Sequence, residues 1–314
     1  MAILVTGGAG FIGSSLIEAL VERGREVVSL DNKVETPNLI GLLDRIDHVR
    51  GDIRKRRTVA RIAQDHKLEG VVHLAAVSRP VWAEVKPHIC LEVNVEGTAA
   101  LLEEIGASGQ APWVIYASTV DVYGHHVRFP MAEGEPIRPD TVYGRSKLAG
   151  EEIVAHRAVF RNWRAFTLRL PGVYGNEKDI LDRAIPSFVL AALRGQPLEL
   201  HGGGQITEFL HIRDVLKAIF RTIDLLEWDR RRPYVETVDL LSGRVTALGA
   251  IIDTIGRHLG RPLDVRDLPA RPGNIPQFMG DPTRAREILG FEASVLPEQG
   301  VPEMIELYRR VFGL

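Results

Sequence analysis

The chain has 314 residues, of which 45% are hydrophobic and 25% charged, enough for one large core and a smaller second lobe, and its formal net charge is −2. This near-neutral balance argues against a nucleic-acid partner, and no apolar run approaches the ~18 residues that a membrane span needs. The single cysteine, Cys90, excludes an intramolecular disulfide and a thiolate metal cluster, so we expect no metal and a reducing, cytoplasmic location.

The first predicted element is a buried strand over residues 3–5, which leads into Gly7, Gly10 and Gly13. An amphipathic helix over residues 14–23 follows. Glycines in a tight turn let a pyrophosphate approach bare backbone, and the helix N-terminus presents unpaired N–H groups to it. The spacing therefore predicts a phosphate-binding turn for a dinucleotide, although the same glycines could form a turn with no ligand.

The second predicted strand, residues 27–30, ends in Asp31. A carboxylate at this place would accept the hydroxyls of an adenosine ribose and would repel a 2′-phosphate. Lys33 is the one nearby base that could neutralise such a phosphate. We therefore predict that the dinucleotide is NAD rather than NADP.

Strand and helix patterns then alternate through the first half of the chain, which predicts a parallel sheet covered on both faces. Further strands are predicted at 48–50, 70–74, 113–117 and 165–170, and long helices at 90–108 and 144–161. After about residue 171 proline and glycine accumulate without any linker-like tract. The predicted fold is α/β: a Rossmann-type doubly wound parallel sheet in residues 1–171, and a smaller, interleaved C-terminal substrate lobe in residues 172–314, some of whose segments return to the first domain.

Tyr143 and Lys147 lie one turn apart on one face at the start of a predicted helix. A phenol has a pKa near ~10, and lowering it to about 7 needs roughly 4 kcal/mol of interaction with the phenolate. A lysine ammonium and an oxidised nicotinamide could supply that, and the tyrosine would then be a general base for a substrate hydroxyl. Taken alone, the pair is more typical of an ordinary amphipathic helix.

Further motifs accompany this pair along nearly the whole chain. They are TGGAGFIG at 6–13, Asp31-Asn32, Asp52-Ile53, His73-Leu74-Ala75-Ala76, Asn94 with Gly97-Thr98, Ser118-Thr119 before Val122-Tyr123-Gly124, Tyr143 with Lys147, Val173-Tyr174-Gly175, residues 202–205 with Phe209 and Asp214, Arg271-Pro272-Gly273, and residues 281–290. In this order and spacing the chain resembles the extended short-chain dehydrogenase/reductases, in particular the NAD-dependent epimerase/dehydratase group.

The resemblance implies an NAD site and a catalytic set made of Thr119, Tyr143 and Lys147. Thr119 would join the tyrosine in proton transfer, and Lys147 would hold the nicotinamide ribose. The implied NAD contacts are Gly7, Gly10, Phe11, Ile12, Asp31, Asn32, Asp52, Ile53, Ala75, Ala76, Asn94, Tyr143 and Lys147. His73 is expected to be structural, because nothing near it supplies a second metal ligand or a nucleophile.

The resemblance also implies a nucleotide-sugar substrate held by Ser78, Thr119, Asp121, Gly172, Thr207 and Arg271. Dehydratases of the group carry two acidic residues after the threonine, whereas this chain has Val120 and Asp121. A single carboxylate favours C4 epimerisation through a transient 4-keto sugar over dehydration. A dehydratase, or a net dehydrogenase or reductase of a modified or non-nucleotide sugar, remains the alternative, as does an NAD-binding partner protein without activity.

Two positions depart from the family pattern, because Gly172 replaces an asparagine and Thr207 an arginine that would contact the diphosphate. Arg271 is retained, while Glu177 and Glu208 add negative charge. Loss of a guanidinium–phosphate contact costs on the order of 1.5–3 kcal/mol. Either another base, such as Arg79 or Arg213, compensates, or the substrate is not an ordinary UDP-hexose.

The resemblance finally implies a homodimer. Helices 90–108 and 144–161 match the pair that forms an intersubunit four-helix bundle in the family. Leu101, Leu102, Ile153 and Val154 are the candidate interface residues, with packing on the chain's own sheet as the alternative.

Overall fold

The computed structural model describes residues 1–125, 129–229, 231–271 and 277–314. Its strands are β1 Ala2–Thr6, β2 Val27–Asp31, β3 Asp47–Arg50, β4 Leu68–His73, β5 Trp113–Thr119, β6 Arg164–Leu170, β7 Gly172–Tyr174, β8 Leu198–His201, β9 Ile206–His211, β10 Tyr234–Asp239, β11 Val245–Ala247 and β12 Val265–Leu268. Its helices are α1 Phe11–Glu22, α2 Arg56–Asp65, α3 Pro80–Val85, α4 Pro87–Leu91, α5 Thr98–Ala107, α6 Val142–Arg161, α7 Ala184–Leu193, α8 Ile212–Trp228, α9 Leu248–Leu259, α10 Thr283–Leu289 and α11 Pro297–Phe312.

Seven strands form a parallel sheet in the order β10-β6-β5-β4-β1-β2-β3. Alternate residues of β1 enter two different hydrophobic clusters, Ile3 in one and Leu4 in the other, because successive side chains of a strand point to opposite faces. The first cluster includes residues of α1 and α8, and the second includes residues of α5 and α6. The predicted doubly wound parallel sheet is therefore confirmed.

The second lobe is built on two small sheets, β11-β9-β7 and β12-β8. Helices α7, α9 and α11 pack with them around a third hydrophobic cluster that contains Val189, Ile251 and Met304. Strand β10, from the second half of the chain, pairs with β6 in the large sheet. The lobes are thus interleaved, as predicted, while the boundary at residue 171 stays a prediction.

The predicted helix over residues 90–108 is not one regular α-helix. A π-helical stretch, Glu92–Gly97, separates α4 from α5. The wider turn includes Asn94, which is 1% exposed and bonds to Val77 and Ser146. Tertiary hydrogen bonds of this kind leave no periodic signal in the sequence, so the interruption could not be predicted.

Three of the four residues predicted for a subunit interface lie in the core instead. Leu101, Leu102 and Val154 are at most 2% exposed and pack in the cluster between α5, α6 and the large sheet. Ile153 is partly buried against the same cluster. Among the described residues, no helix has the length and apolar character that crossing a membrane requires.

Candidate active site

The glycine turn joins β1 to α1 at the carboxyl edge of the large sheet. Gly7 has φ 71°, a left-handed conformation that favours glycine. A Cβ on Gly13 would lie 2.2 Å from the Gly7 oxygen, so α1 approaches the turn more closely than a side chain would allow. Within the described chain, no side chain caps the N-terminus of α1 at Gly10. Free backbone donors and a close backbone approach together fit a pyrophosphate.

Asp31 ends β2 beside this turn, and its carboxylate is fixed by two backbone donors. Oδ2 accepts from the Ala9 N–H at 3.0 Å, and Oδ1 accepts from the Lys33 N–H at 3.0 Å. The Lys33 ammonium donates to the Ala9 carbonyl at 3.3 Å. Asp31 is 8% exposed, and the next residue, Asn32, is exposed. This position at the glycine turn suits an adenosine ribose.

Asp52 and Ile53, predicted to flank the adenine, follow β3 at the same edge of the sheet. A side-chain hydrogen bond from Arg54 holds the pKa of Asp52 below its usual value. Ile53 is 4% exposed and lies against Gly97, where a Cβ would approach its side chain to 2.8 Å. The pair therefore offers an apolar surface next to a fixed carboxylate.

Ala75 and Ala76 follow β4 and border the glycine turn. A Cβ on Gly7 would lie 2.8 Å from the Ala75 nitrogen, so the two backbone segments are in close contact. The Asn94 side chain fixes the next residue, since its Oδ1 accepts from the Val77 N–H at 2.7 Å and its Nδ2 donates to the Val77 carbonyl at 3.1 Å. Asn94 thus positions the loop, and its predicted contact with NAD stays a prediction.

Tyr143 and Lys147 lie in the first two turns of α6, which begins at a Thr141 cap whose hydroxyl accepts from the Gly144 N–H at 2.9 Å. Tyr143 is 9% exposed. Burial raises the pKa of Tyr143 well above its usual value, and the charge of Asp121 acts in the same direction. A hydrogen bond with Thr119 and the charge of Arg183 oppose that rise in pKa. The protein by itself therefore favours the neutral phenol.

Lys147 is 3% exposed, and its ammonium lies 4.1 Å from the centroid of the Tyr116 ring. Burial lowers the pKa of Lys147 to about 7, while the charge of Glu151 acts in the opposite direction. Arg183 is a cation that acts on the Tyr143 phenol, and no pattern in the sequence indicates it. It precedes α7 in the second lobe, and only the tertiary fold brings it to the end of β5.

Asp121 completes the group at the end of β5. The Thr119 hydroxyl accepts from the Asp121 N–H at 3.2 Å and caps the short turn Val120–Tyr123. Burial raises the pKa of Asp121 to about 6, although a hydrogen bond with Thr119 and the charge of Arg183 lower it. The structure therefore brings Thr119, Asp121 and Tyr143 together, while their catalytic and substrate-binding roles stay predictions.

A cleft of about 210 Å³ lies between the first domain and the second lobe. It is lined by Ser78, Arg79, Pro80, Val81, Asp182, Arg183, Ala184, Ser187, Phe188, Glu199, His201, Gln205, Leu248 and Arg271. Ser78 and Arg271 thus line the same cleft, and their predicted contacts with a substrate stay predictions. Pro272 and Gly273, the rest of the Arg271 motif, lie outside the described residues.

Gly172 and Thr207 are not among the described residues that line this cleft. They lie on β7 and β9 of the small sheet. A Cβ on Gly172 would lie 2.9 Å from Cδ1 of Phe209, so the phenylalanine ring occupies space that a side chain at 172 would need. Thr207 pairs with Thr246 across β9 and β11. Their predicted roles in substrate binding stay predictions.

Two predictions about charge near the substrate need correction. Glu208 is fully buried and accepts from the Ser242 hydroxyl at 2.9 Å and from the N–H groups of Gly243 at 2.8 Å and Gly280 at 2.9 Å. The Glu208 carboxylate therefore connects loops of the second lobe and does not face a substrate. Arg213 is also outside the cleft, since it pairs with Glu303 of α11 and is more than half exposed.

His73 is structural, as expected. Its Nδ1 lies 2.6 Å from the Thr6 hydroxyl and its Nε2 lies 2.9 Å from the Thr98 hydroxyl. Burial lowers the pKa of His73 to about 3, which keeps the ring neutral. Both ring nitrogens therefore serve to join β1, β4 and α5.

An NAD-binding turn, an acidic residue after β2 and a buried tyrosine and lysine on α6 define a nucleotide-dependent enzyme of the short-chain dehydrogenase/reductase type. The chain belongs to the NAD dependent epimerase/dehydratase family, whose model matches residues 3–234. Its cofactor is NAD, and the glycine turn and Asp31 fit that group.

Relatives with different reactions cover almost the full chain. A putative UDP-glucose 4-epimerase of Methanocaldococcus jannaschii is 30% identical, over 96% of this chain and 97% of that protein. A dTDP-glucose 4,6-dehydratase of Xanthomonas campestris is 29% identical, over 97% of this chain and 92% of that protein. The solved structure of MoeE5 in complex with UDP-glucose and NAD superposes with a TM-score of 0.89 at 29% identity, covering 99% of this chain and all of that one.

Proposed function

We propose that this protein epimerises a nucleotide sugar at C4 and recycles its NAD within each turnover. The observation that carries the proposal is the buried group at the end of β5, where Thr119 and Tyr143 meet beside one carboxylate, Asp121. Val120 stands where an elimination would need a second acid. The similarity to 4-epimerases over nearly the full chain supports the same reaction.

Bound NAD supplies the hydride acceptor and donor. Tyr143 takes the proton from the substrate hydroxyl as the general base, and the Thr119 hydroxyl bridges the substrate oxygen and the phenol because it both donates and accepts. Lys147 would hold the nicotinamide ribose and add positive charge to the site. Because burial raises the pKa of Tyr143 well above its usual value, the phenol requires the positive charges of Lys147 and of an oxidised nicotinamide to act as a base near neutral pH.

Asp121 favours a second candidate, a lyase of the dehydratase type. Burial raises the pKa of this carboxyl to about 6, so it can exchange a proton near neutral pH beside Tyr143. Gly172 and Thr207 motivate a third, net oxidation or reduction of a modified or non-nucleotide sugar. Each alternative uses the same Thr119, Tyr143 and Lys147, so product analysis has to separate them.

The role of Tyr143 is tested by Tyr143→Phe. We expect turnover to fall about 10²- to 10⁴-fold, the usual contribution of a general base, while NAD stays bound because only one hydroxyl is removed. Activity assays and cofactor analysis of the purified protein measure the two effects. Tyr234→Phe is the matched control and should keep wild-type turnover, because Tyr234 begins β10 and so lies at the amino edge of the large sheet. Near wild-type activity in Tyr143→Phe would refute the role.

A further inference from the structure

An ion pair lies in the cleft between the two lobes. Nη1 of Arg79 lies 2.5 Å from each carboxylate oxygen of Asp182. Arg79 follows Ser78 in the first domain, and Asp182 precedes α7 in the second lobe, so the pair joins the two lobes across the cleft that both residues line. The arginine side chain is 24% exposed and the aspartate side chain is 63% exposed.

The other arginines near the cleft differ from Arg79 in what they contact. Arg183 donates to the Val173 carbonyl at 3.5 Å and to Asp179 at 3.4 Å, and its charge acts on Tyr143 and Asp121. It therefore belongs to the reacting end of the site. Arg271 lies in the cleft as the predicted diphosphate ligand.

A diphosphate carries more negative charge than the single guanidinium of Arg271 neutralises, and Thr207 contributes none. Arg79 is a guanidinium in the same cleft whose present partner is a largely exposed carboxylate. A phosphate group can replace that carboxylate with two parallel N–H···O bonds, because both present the same planar pair of acceptors to an arginine fork. The displaced Asp182 would return to water with little loss, since its side chain is already mostly solvated.

We infer that Arg79 is the second diphosphate-binding arginine of this cleft and that Asp182 is an internal counter-ion which the diphosphate displaces. The inference rests on the proposed function, because it requires a nucleotide-linked substrate. Arg79, from the first domain, thus takes the place of the arginine that the family pattern has where this chain has Thr207. Substrate binding then exchanges an ion pair between the lobes for a contact between each lobe and the diphosphate.

The test compares the effects of two substitutions on nucleotide affinity, which should have opposite signs. UDP, CDP, GDP and dTDP are titrated calorimetrically into the NAD-loaded protein. Arg79→Ala should weaken binding of the preferred nucleotide about 10- to 100-fold, the usual cost of losing a hydrogen-bonded charge contact. Asp182→Asn should instead tighten binding, by about threefold or more, because it removes the competing carboxylate while keeping the side chain's shape.

If the ion pair only held the two lobes together, Arg79→Ala and Asp182→Asn would both weaken nucleotide binding. Weaker binding in Asp182→Asn, or unchanged binding in Arg79→Ala, therefore overturns the inference. The matched control is the Arg213–Glu303 pair, which is also 2.5 Å long but lies outside the cleft. Arg213→Ala and Glu303→Gln should leave the nucleotide affinity unchanged.

The result also separates this inference from the proposed function. If the wild-type protein binds a nucleotide and Arg79→Ala binds it with the same affinity, only the inference fails. If the wild-type protein binds none of the four nucleotides, the nucleotide-sugar function fails and the inference fails with it.

Discussion

Tyr143 shows how strongly the surroundings of one residue control its chemistry. Its phenol is buried between Asp121, which raises its pKa, and Arg183, which lowers it. The pKa of Lys147 is lowered to about 7 by burial, so the charge of this lysine is sensitive to its neighbours. The pKa of the phenol is thus set by burial and by charges from other elements, since Tyr143 and Lys147 lie on α6, Asp121 follows β5 and Arg183 precedes α7.

Asp31 gives a prediction at the same scale. Asp31→Ala should weaken NAD binding by about 1.5–3 kcal/mol, the cost of losing a hydrogen bond to a charged group. It should also reduce the difference in affinity between NAD and NADP, because the repulsion of a 2′-phosphate disappears. Calorimetric titration with both cofactors measures this. Asp44→Ala, an exposed carboxylate on the loop after β2, is the control and should change neither affinity. If Asp31→Ala keeps the wild-type preference for NAD over NADP, Asp31 is not the residue that binds the adenosine ribose.

At the scale of elements, a buried ion pair fixes α6 to the large sheet. Nε of Arg169 donates to Oε1 of Glu151 at 2.9 Å, and Nη2 donates to Oε2 at 2.7 Å, with the two side chains 5% and 8% exposed. Glu151 lies one turn after Lys147 on α6, and Arg169 lies on β6. The pair therefore sets the rotation of the helix that carries Tyr143 and Lys147.

Breaking this pair from one side should be costly. Arg169→Met leaves the buried Glu151 carboxylate without its arginine partner, so we expect it to lower the free energy of unfolding by about 3–5 kcal/mol. Glu151→Gln should cost less, because Oδ1 of Asp239 remains 3.7 Å from Nη1 of Arg169. The double variant Glu151→Gln/Arg169→Met should lose much less than the sum of the single effects. Urea unfolding of all four proteins completes the double-mutant cycle. Additive effects would show that the two side chains do not act as a pair.

The elements also show what the sequence can predict. The glycine turn and the acid after β2 were found because each is a local pattern with a local cause. Arg183, the Arg79–Asp182 pair and the π-helical stretch were missed, since each depends on contacts between segments far apart in the chain. Glu208 was misplaced for the same reason, because hydrophobic and charged patterns do not reveal which loops will fold back onto a strand.

At the scale of the whole molecule, the interleaved lobes place every predicted catalytic residue at the carboxyl edge of one sheet, next to a cleft that the second lobe closes. This is where an open parallel sheet binds its ligands. The outer face of α6 remains available to a second copy of the chain. Val159 is 59% exposed and Phe160 is 68% exposed on that helix. A homodimer through α6 is therefore still predicted, with Val159 and Phe160 as its contacts in place of the core residues Leu101, Leu102 and Val154.

Sedimentation velocity at micromolar concentration tests the assembly. The wild-type chain should sediment as a dimer, and Phe160→Glu should shift it towards the monomer because a charge would be buried at the contact. Trp228→Glu is the matched control, since this side chain is 80% exposed at the end of α8 and should leave the dimer intact. A wild-type monomer, or a dimer unaffected by Phe160→Glu, would contradict the prediction.

The most direct test of the proposed function is to incubate the NAD-loaded protein with UDP-, GDP-, CDP- and dTDP-sugars and to follow the products by NMR, with the absorbance of NADH recorded in parallel. We expect one sugar to interconvert with its C4 epimer without accumulation of NADH and without loss of water. A 4-keto-6-deoxy product would instead identify a dehydratase. Net formation of NADH, or no reaction with any nucleotide sugar, would contradict C4 epimerisation.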